Sequence, residues 1–436
     1  MDNVETLKQA AGNLRKQNKF DEAVQIYEKL WMEYRDFCNE WDGWGYAFSL
    51  RKSGKPELAV EISRQVYEKW RDFEPNKGVL AWCLYDLIIN KDVDEIKRNE
   101  SDYFQTAVTI TNLVGQDKFS PYSRTVFKVI DYLDDSRNVF PAKDINAWLD
   151  RLDKSKLSRE TWEGKDNKGR PMTHASDLEK WYARKCKVYY DLKRFQDCIE
   201  IGQEAFATFS EFHYHYDKWI RRDMGRAYGE LGQPNEGIAL FEKFMDDRSE
   251  WFVYFEAAVL YYQNNDIEKA LRSCAQSALV RHEVEHKVNL FAFMGKILLQ
   301  KGENELARQH ILISAKIRTE KDWKISSDFQ SLIQQLSIDV NTSPASRDLE
   351  RALIKYWQSL MYSDKKQGTG AIKNLVQTGK SGFIVGADKC EYFFRINEFR
   401  GNPAMLKPGV KVSFYITPNP EVGRKDLAVN INIIRE

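Results

Sequence analysis

The sequence is poor in cysteine, and its six cysteines are scattered at positions 38, 83, 186, 198, 274 and 390. No two of them form a C-x-x-C pair, which excludes that redox and zinc-binding pattern. No apolar run approaches the roughly twenty residues of a membrane-spanning helix. The first residues, MDNVETLKQ, lack the pattern of a secretory signal. We therefore expect a cytoplasmic protein.

An excess of charge of either sign is also missing, because 66 Lys and Arg residues face 65 Asp and Glu residues and leave a net charge of +1. Any basic surface must therefore be local. A chain of 436 residues that is 42% hydrophobic is long enough for two or three domains with ample cores.

Motifs of the common enzyme classes are absent too. The sequence has no Gly-rich phosphate loop of the Walker type, and the segment GKSGF at 379–383 lies between predicted strands rather than before a helix. No Ser or Cys is set apart as a nucleophile by an identifiable elbow. We therefore predict neither an enzyme nor a cofactor.

What the chain does contain, before residue 340, is a repeated pair of amphipathic helices with small residues at fixed places. Six segments show the pattern, at 7–30, 44–66, 181–206, 220–244, 255–275 and 291–311. They resemble the tetratricopeptide repeat, whose period is about 34 residues. The resemblance implies an all-α solenoid over residues 1–336, in which small residues let paired helices approach and whose groove holds a protein or peptide.

Residues 75–157 have apolar stripes of helical period but match the repeat poorly. Two interpretations stay open for them. They form degenerate hairpins of the same solenoid, or they form a separate helical insert.

A polar segment at 158–177 interrupts the helices and holds three Gly or Pro residues, so it is either mobile or functional. Residues 151–195 carry thirteen Lys and Arg against seven Asp and Glu, a net charge of +6, with Trp148, Trp162, Trp181 and Tyr182 interleaved. Basic and aromatic residues together favour a second strand-binding surface. Its candidate residues are Lys165, Lys168, Arg170, Arg184 and Lys185. The alternative is a solvated helix face beside core tryptophans.

Residues 337–367 are predicted to be a linker followed by a bridging helix. The linker pattern SIDVNTSPAS ends at Ser346, which is a candidate N-cap for the helix RDLERALIKYWQSLMYS. One face of that helix carries Leu349, Leu353, Tyr356, Trp357 and Leu360. We expect this face to dock the end of the chain against the repeats.

From residue 368 to residue 436 the pattern changes to short runs rich in Val, Ile, Phe and Tyr, broken by turn residues about every ten positions. Five strands fit, which predicts a small all-β barrel. The segment resembles a cold-shock domain, a nucleic-acid-binding OB barrel. The motifs that carry the resemblance are G-A-I-K at 370–373, G-F-I at 382–384, E-Y-F-F-R at 391–395, L-K-P-G at 406–409, V-S-F at 412–414 and A-V-N at 428–430.

This resemblance implies a face of aromatic residues on which the bases of single-stranded RNA or DNA stack. The residues that it assigns to the face are Lys373, Phe383, Phe393, Arg395 and Arg424, while side-chain alternation points Tyr392 and Phe394 into the barrel. The sequence departs from the family at Asn374 and Ser381, where the family has aromatics, and at Arg395, where it has His. Ten basic and six acidic residues leave the segment with a net charge of +4. The alternative is a barrel that docks a protein.

One further motif points to a metal. His282-Glu283-Val284-Glu285-His286 satisfies H-E-x-x-H, in which two His residues one helical turn apart bind zinc and the Glu polarises water. Its neighbours are charged and it falls where two repeats connect, so we predict a surface connection, with a zinc hydrolase using His282, Glu283 and His286 as the minor alternative.

Overall fold

The chain folds into α-helices followed by a closed barrel of five strands, as the sequence predicts. The structure, a computed structural model, describes residues 2–137, 139–165, 168–246, 249–376, 380–399, 402–419, 421 and 423–434. These residues form nineteen α-helices and seven β-strands. Gly379 of the GKSGF segment and the charged residues Asp166, Arg400, Arg435 and Glu436 lie outside the described set. None of the helices within it combines the length and the apolar character needed to cross a membrane.

Two compact units make up the chain, Met1–Ala227 and Tyr228–Glu436. The division falls inside the helix Tyr216–Glu230. Unit 1 holds the helices α1 Asp2–Lys16, α2 Phe20–Glu33, α3 Glu40–Lys52, α4 Pro56–Lys69, α5 Glu74–Leu84, α6 Val93–Arg98, α7 Glu100–Leu113, α8 Tyr122–Ser136, α9 Ala142–Leu149, α10 Asp177–Asp191 and α11 Phe195–Thr208, together with the first residues of α12 Tyr216–Glu230. A π-helical turn, Tyr85–Ile89, continues α5.

Within unit 1 the predicted polar segment forms a small β-hairpin between α9 and α10. Strand β1, Trp162–Lys165, pairs antiparallel with β2, Pro171–His174. Gly169 takes a φ of +77° in the turn, a backbone conformation that glycine adopts without steric cost. The hairpin therefore has a defined structure in the described residues.

Unit 2 continues the helices with α13 Pro234–Glu242, α14 Trp251–Gln263, α15 Ile267–Leu279, α16 Val288–Gln300, α17 Asn304–Glu320, α18 Ser327–Gln335 and α19 Ser346–Met361. Its β-strands are β3 Gln367–Leu375, β4 Ser381–Gly386, β5 Glu391–Arg395, β6 Lys411–Thr417 and β7 Leu427–Ile433.

Small residues lie where the repeat pattern predicts them, at the contacts between paired helices. A Cβ atom on Gly295 of α16 would lie 2.6 Å from Ile311 Cδ1 of α17, the other helix of its hairpin. At a contact between neighbouring hairpins, which the pattern did not single out, one on Gly45 of α3 would lie 2.5 Å from the Tyr27 hydroxyl of α2. Close packing of this kind leaves no room for a larger side chain. Small residues of the six repeat segments that have no exposed surface include Ala11, Ala23, Ala47, Ala59, Cys186, Cys198, Ala205, Ala258, Ala270, Cys274 and Ala307.

Helix α19 packs against α15 and α17 through the predicted face. Leu353 and Trp357 are buried there, and Leu349, Tyr356 and Leu360 pack around them. The Ser346 hydroxyl does not cap its helix. It instead donates to Glu320 Oε2 of α17 at 2.6 Å, because the residue is buried against that helix. The prediction of a Ser346 cap was therefore wrong, while the docking face was correct.

A buried polar contact holds α19 in place. Trp357 Nε1 donates to His310 Nε2 at 2.8 Å, and His310 Nδ1 lies 2.7 Å from the Leu306 carbonyl oxygen. Burial lowers the pKa of His310 to about 4, so the imidazole is neutral near pH 7. A neutral ring that donates through Nδ1 is able to accept through Nε2, which satisfies both partners.

The barrel closes in the strand order β3-β4-β5-β7-β6, with β6 returning to β3. All pairs are antiparallel except β5 with β7. The core of the barrel contains the predicted inward residues Tyr392 and Phe394, together with Ile372, Ile384, Phe399, Leu406, Val412, Phe414, Ala428 and Ile431. Just after α19, the Tyr362 ring stacks on the Tyr415 ring of β6, with ring centroids 4.9 Å apart.

Candidate nucleic-acid interface

Two half-buried phenylalanines form a pair on the outer face of the barrel. Phe383 of β4 lies directly opposite Phe393 of β5. Their ring centroids are 5.5 Å apart at an interplanar angle of 65°, an edge-to-face arrangement. The alternation along both strands explains their position, since Tyr392 and Phe394 occupy the core on either side of Phe393. The predicted aromatic residues therefore lie side by side.

Polar residues continue the two rows of this face. Asn374 of β3 lies opposite Phe383, and Ser381 of β4 lies opposite Arg395. The rows thus run Asn374-Phe383-Phe393 and Ser381-Arg395 across neighbouring strands. Asn374 and Ser381, the two positions at which the cold-shock pattern has aromatics, fall at one end of each row, which leaves a smaller aromatic surface with Arg395 beside it.

A carboxylate in the same face binds two lysines. Glu391, at the start of β5, accepts hydrogen bonds from Lys373 Nζ through Oε1 and from Lys425 Nζ through Oε2. These bonds lower the pKa of Glu391 to about 2, so the carboxylate is charged at any physiological pH. Lys425 also lies over Phe383, with Nζ 5.1 Å from the ring centroid. The cations that flank the rings are therefore partly neutralised within the barrel.

The remaining predicted cations differ in their surroundings. The Arg395 guanidinium is exposed and has no ion pair with any described residue. Arg424, in the loop before β7, forms an exposed ion pair with Glu421, with Nε 2.6 Å from Oε2. Sequence reasoning assigned Arg424 from that loop but missed its neighbour Lys425, and it counted Glu391 only as part of a motif. Glu391 and Lys425 are 34 positions apart, and no local sequence pattern shows that two such residues form an ion pair.

On the sequence-based prediction that this face binds single-stranded RNA, replacing Glu391 with glutamine is expected to tighten that binding several-fold at low salt. The change frees Lys373 and Lys425 to bind phosphate, and each additional phosphate contact steepens the slope of log K against log salt by roughly 0.7. Fluorescence anisotropy with a labelled oligonucleotide over a salt series measures both quantities.

Asp364→Asn is the matched control for Glu391→Gln, because it removes one charge from an ion pair with Arg272 that lies outside the strands of the barrel. An unchanged salt slope in Glu391→Gln would show that the two lysines do not contact phosphate.

The second predicted surface is divided by the fold. Arg184 of α10 forms ion pairs with Asp131 and Asp134 of α8. Lys185, only 3% exposed, binds Asp150 and lies 2.9 Å from Asn146 Oδ1 of α9. These two cations therefore hold α10 against its neighbours. Lys165, Lys168 and Arg170 lie at the exposed end of the β-hairpin.

The aromatic residues of this region divide in the same way. Trp148, Trp181 and Tyr182 are buried in the core of unit 1, whereas Trp162 is 54% exposed on the hairpin. The first three lie on helices that pack in unit 1, whereas Trp162 lies on a two-stranded sheet.

The H-E-x-x-H motif does not form a zinc-binding helix. Val284–Lys287 is a single 3-10 turn between α15 and α16, and His282 and Glu283 precede it. Arg347 forms an ion pair with Glu283 at 2.5 Å, and Lys321 forms one with Glu285 at 2.7 Å. The exposed His282 and His286 rings contact each other through their Nδ1 atoms at 2.9 Å. Among the described residues no group of three or more His, Cys, Asp or Glu side chains is placed to hold a metal ion.

Comparison with known proteins gives one family match. Residues 218–355 match a family described as "Domain of unknown function (DUF7017)". No curated protein sequence matches the chain.

Solved structures of helical-repeat proteins are similar to this chain at low identity. The APC/C hetero-tetramer Cut9-Hcn1 has 12% identity and a TM-score of 0.38 over 76% of this chain and 55% of that chain. A tetratricopeptide repeat protein from Parabacteroides merdae has 10% identity and a TM-score of 0.29 over 78% of this chain and 100% of that chain. The human IFIT1 dimer with m7Gppp-AAAA has 14% identity and a TM-score of 0.36 over 81% of this chain and 76% of that chain. With values this low, none of these similarities indicates a shared ligand or partner.

Proposed function

We propose that the protein is a non-enzymatic cytoplasmic adaptor that binds single-stranded nucleic acid, RNA in preference to DNA, through a cold-shock-like barrel. Its helical repeats bind a protein or peptide partner. The observation that carries the proposal is the outward pair Phe383 and Phe393 with Arg395 beside it and Lys373 and Lys425 at its edge.

The chemistry of this face suits an unpaired base and its phosphates. Bases stack on aromatic rings with about 1 to 3 kcal/mol each. The planar guanidinium of Arg395 is able to stack on a third base or pair with a phosphate. Because the face has two rings rather than a full row, we expect modest affinity that depends strongly on salt.

The test is fluorescence anisotropy of labelled single-stranded RNA and DNA against the full chain over a salt series. Arg395→Glu is expected to weaken RNA binding about tenfold at low salt and to flatten the salt slope, because a cation beside the rings becomes an anion. Circular dichroism should show unchanged helicity in the variant.

A charge-matched control is Arg351→Glu on α19, whose side chain is 73% exposed and pairs only with its neighbour Asp348 among the described residues. Equal RNA binding by Arg395→Glu and Arg351→Glu would remove Arg395 from the site. A full chain that binds neither RNA nor DNA would favour the other interpretation, a protein scaffold whose barrel is a docking module.

A further inference from the structure

The β-hairpin of unit 1 carries a stacked pair of rings that repeat packing does not require. The Trp162 indole of β1 lies parallel to the His174 imidazole of β2, with centroids 3.7 Å apart and an angle of 8°. The two residues are register partners across the hairpin. His174 covers one face of the indole, and Trp162 is still 54% exposed.

A glycine leaves the space for this stack. Gly164 lies two residues after Trp162 on the same face of β1, and a Cβ atom there would lie 2.5 Å from His174 Nε2 and 2.7 Å from Trp162 Cζ3. Contacts this short do not occur in real structures, so any other residue would displace one of the rings. The sequence of the hairpin therefore suits the stacked arrangement.

The loop that contains Tyr214 and His215 holds the His174 imidazole in place. A hydrogen bond joins the Tyr214 hydroxyl to His174 Nδ1. Tyr214 and the next residue, His215, have φ angles of +52° and +58°, a conformation that costs energy for residues with a side chain. His213 is held in turn by Glu179, which is buried, with Nδ1 3.1 Å from Oε2. The loop thus sets the plane of His174, and His174 sets the plane of Trp162.

Cations lie at the end of the same hairpin. Lys165, Lys168 and Arg170 are exposed around the turn. On the opposite face of β1, which side-chain alternation also gives to Lys165, the Thr173 hydroxyl donates to Glu163 Oε1 at 2.8 Å. An indole with one covered and one open face beside cations has the chemistry that binds an unpaired base and its flanking phosphates.

We propose that this hairpin is a second nucleic-acid site, in which the open face of Trp162 stacks on an unpaired base while Lys168 and Arg170, at the end of the hairpin, contact phosphates. The site lies on unit 1 and is independent of the barrel face, so either proposal is able to fail without the other.

The experiment uses the full chain and a fluorescein-labelled single-stranded U30 RNA in anisotropy titrations at low salt. Trp162→Ala is placed in the wild type and in a Phe383→Ala/Phe393→Ala background, in which the barrel face is removed. We expect Trp162→Ala to weaken the remaining binding at least about fivefold in that background. Trp162→Phe should restore most of the affinity, since a smaller ring still stacks.

Two further variants separate stacking from structural damage. Gly164→Ala keeps the indole but displaces the stack, so it should weaken binding in the same direction as Trp162→Ala. Trp323→Ala removes an indole that is 43% exposed in unit 2 and should leave RNA binding unchanged. If Trp162→Ala binds U30 as tightly as its parent in both backgrounds, the hairpin site is overturned, whatever the barrel variants show.

Discussion

Replacing Trp357 with alanine is expected to destabilise unit 2 by about 3–5 kcal/mol, the usual cost of truncating a fully buried large aromatic residue. The Trp357 side chain has no exposed surface, stacks on Phe291 of α16 with centroids 5.6 Å apart, and donates its indole N–H to His310. Its removal leaves a cavity between α19 and the repeats and an unpaired acceptor on His310. Hydrogen exchange of peptides from α15 to α19 measures the local free energy of opening.

Trp357→Phe separates packing from hydrogen bonding in this contact. Phenylalanine keeps most of the ring but leaves His310 Nε2 unsatisfied, which costs about 1–3 kcal/mol. Trp323→Ala is the control for loss of a partly exposed tryptophan and should change stability by less than about 0.5 kcal/mol. Equal exchange in Trp357→Ala and wild type would mean that α19 does not depend on this side chain for docking.

The double substitution Phe383→Ala/Phe393→Ala is expected to weaken RNA binding at the barrel by about 2–6 kcal/mol. The variant loses the stacking of two bases, at about 1–3 kcal/mol each. The lower figure, about 2 kcal/mol in total, corresponds to a rise in Kd of about thirtyfold. A short labelled RNA, such as U6, and a Trp162→Ala background, in which the hairpin site is removed, keep the measurement to the barrel face. Anisotropy at low salt gives the two Kd values.

The rings also contact each other, so the barrel itself must be checked. Their edge-to-face pair contributes about 0.5–1.5 kcal/mol to stability, which the barrel loses in the variant. Phe383→Tyr/Phe393→Tyr keeps stacking surfaces on the same face and should keep most of the affinity. Phe119→Ala is the control for loss of an exposed phenylalanine, because the Phe119 side chain in unit 1 is 84% exposed. Unchanged U6 binding in the double alanine variant would exclude these rings as a base-stacking surface.

The helical part of the fold is predictable from the sequence because its rules are local. Small residues such as Ala258 and Gly295 recur at spacings that bring one helix against the next, and the structure buries them at those contacts. The docking face of α19 follows the same helical period, which is why Leu353 and Trp357 were placed correctly. The N-cap assigned to Ser346 was wrong because Ser346 is already the first residue of the helix, where Glu320 of a distant helix accepts hydrogen bonds from both its N–H and its hydroxyl.

The candidate site was predicted less completely. Side-chain alternation placed Phe383 and Phe393 on the outer face of the barrel and Tyr392 in its core. No local pattern predicts that Glu391 binds Lys373 and Lys425, since the second lysine comes from a loop more than thirty residues away. The sequence also did not show which cations of residues 151–195 form ion pairs. Arg184 pairs with Asp131 and Asp134 of α8, whereas the cations at the end of the hairpin are exposed.

The H-E-x-x-H motif shows how a sequence pattern depends on its structural context. The spacing of His282 and His286 suits a zinc site only when the segment is one α-helix. A 3-10 turn begins after Glu283 instead, and Arg347 binds the carboxylate that would polarise water.

By itself the sequence determined the helices of the repeats, the strands of the barrel and which side of each faces a core, because periodicity and small-residue spacing act between near neighbours. The strands Trp162–Lys165 and Pro171–His174 of the hairpin were not predicted. Only the tertiary structure decided which charges are neutralised, as at Glu391 and Lys185, and which aromatic rings stay exposed, as at Trp162. The physical reason is that ion pairing and burial depend on residues that are distant in the chain and meet only when the fold has formed.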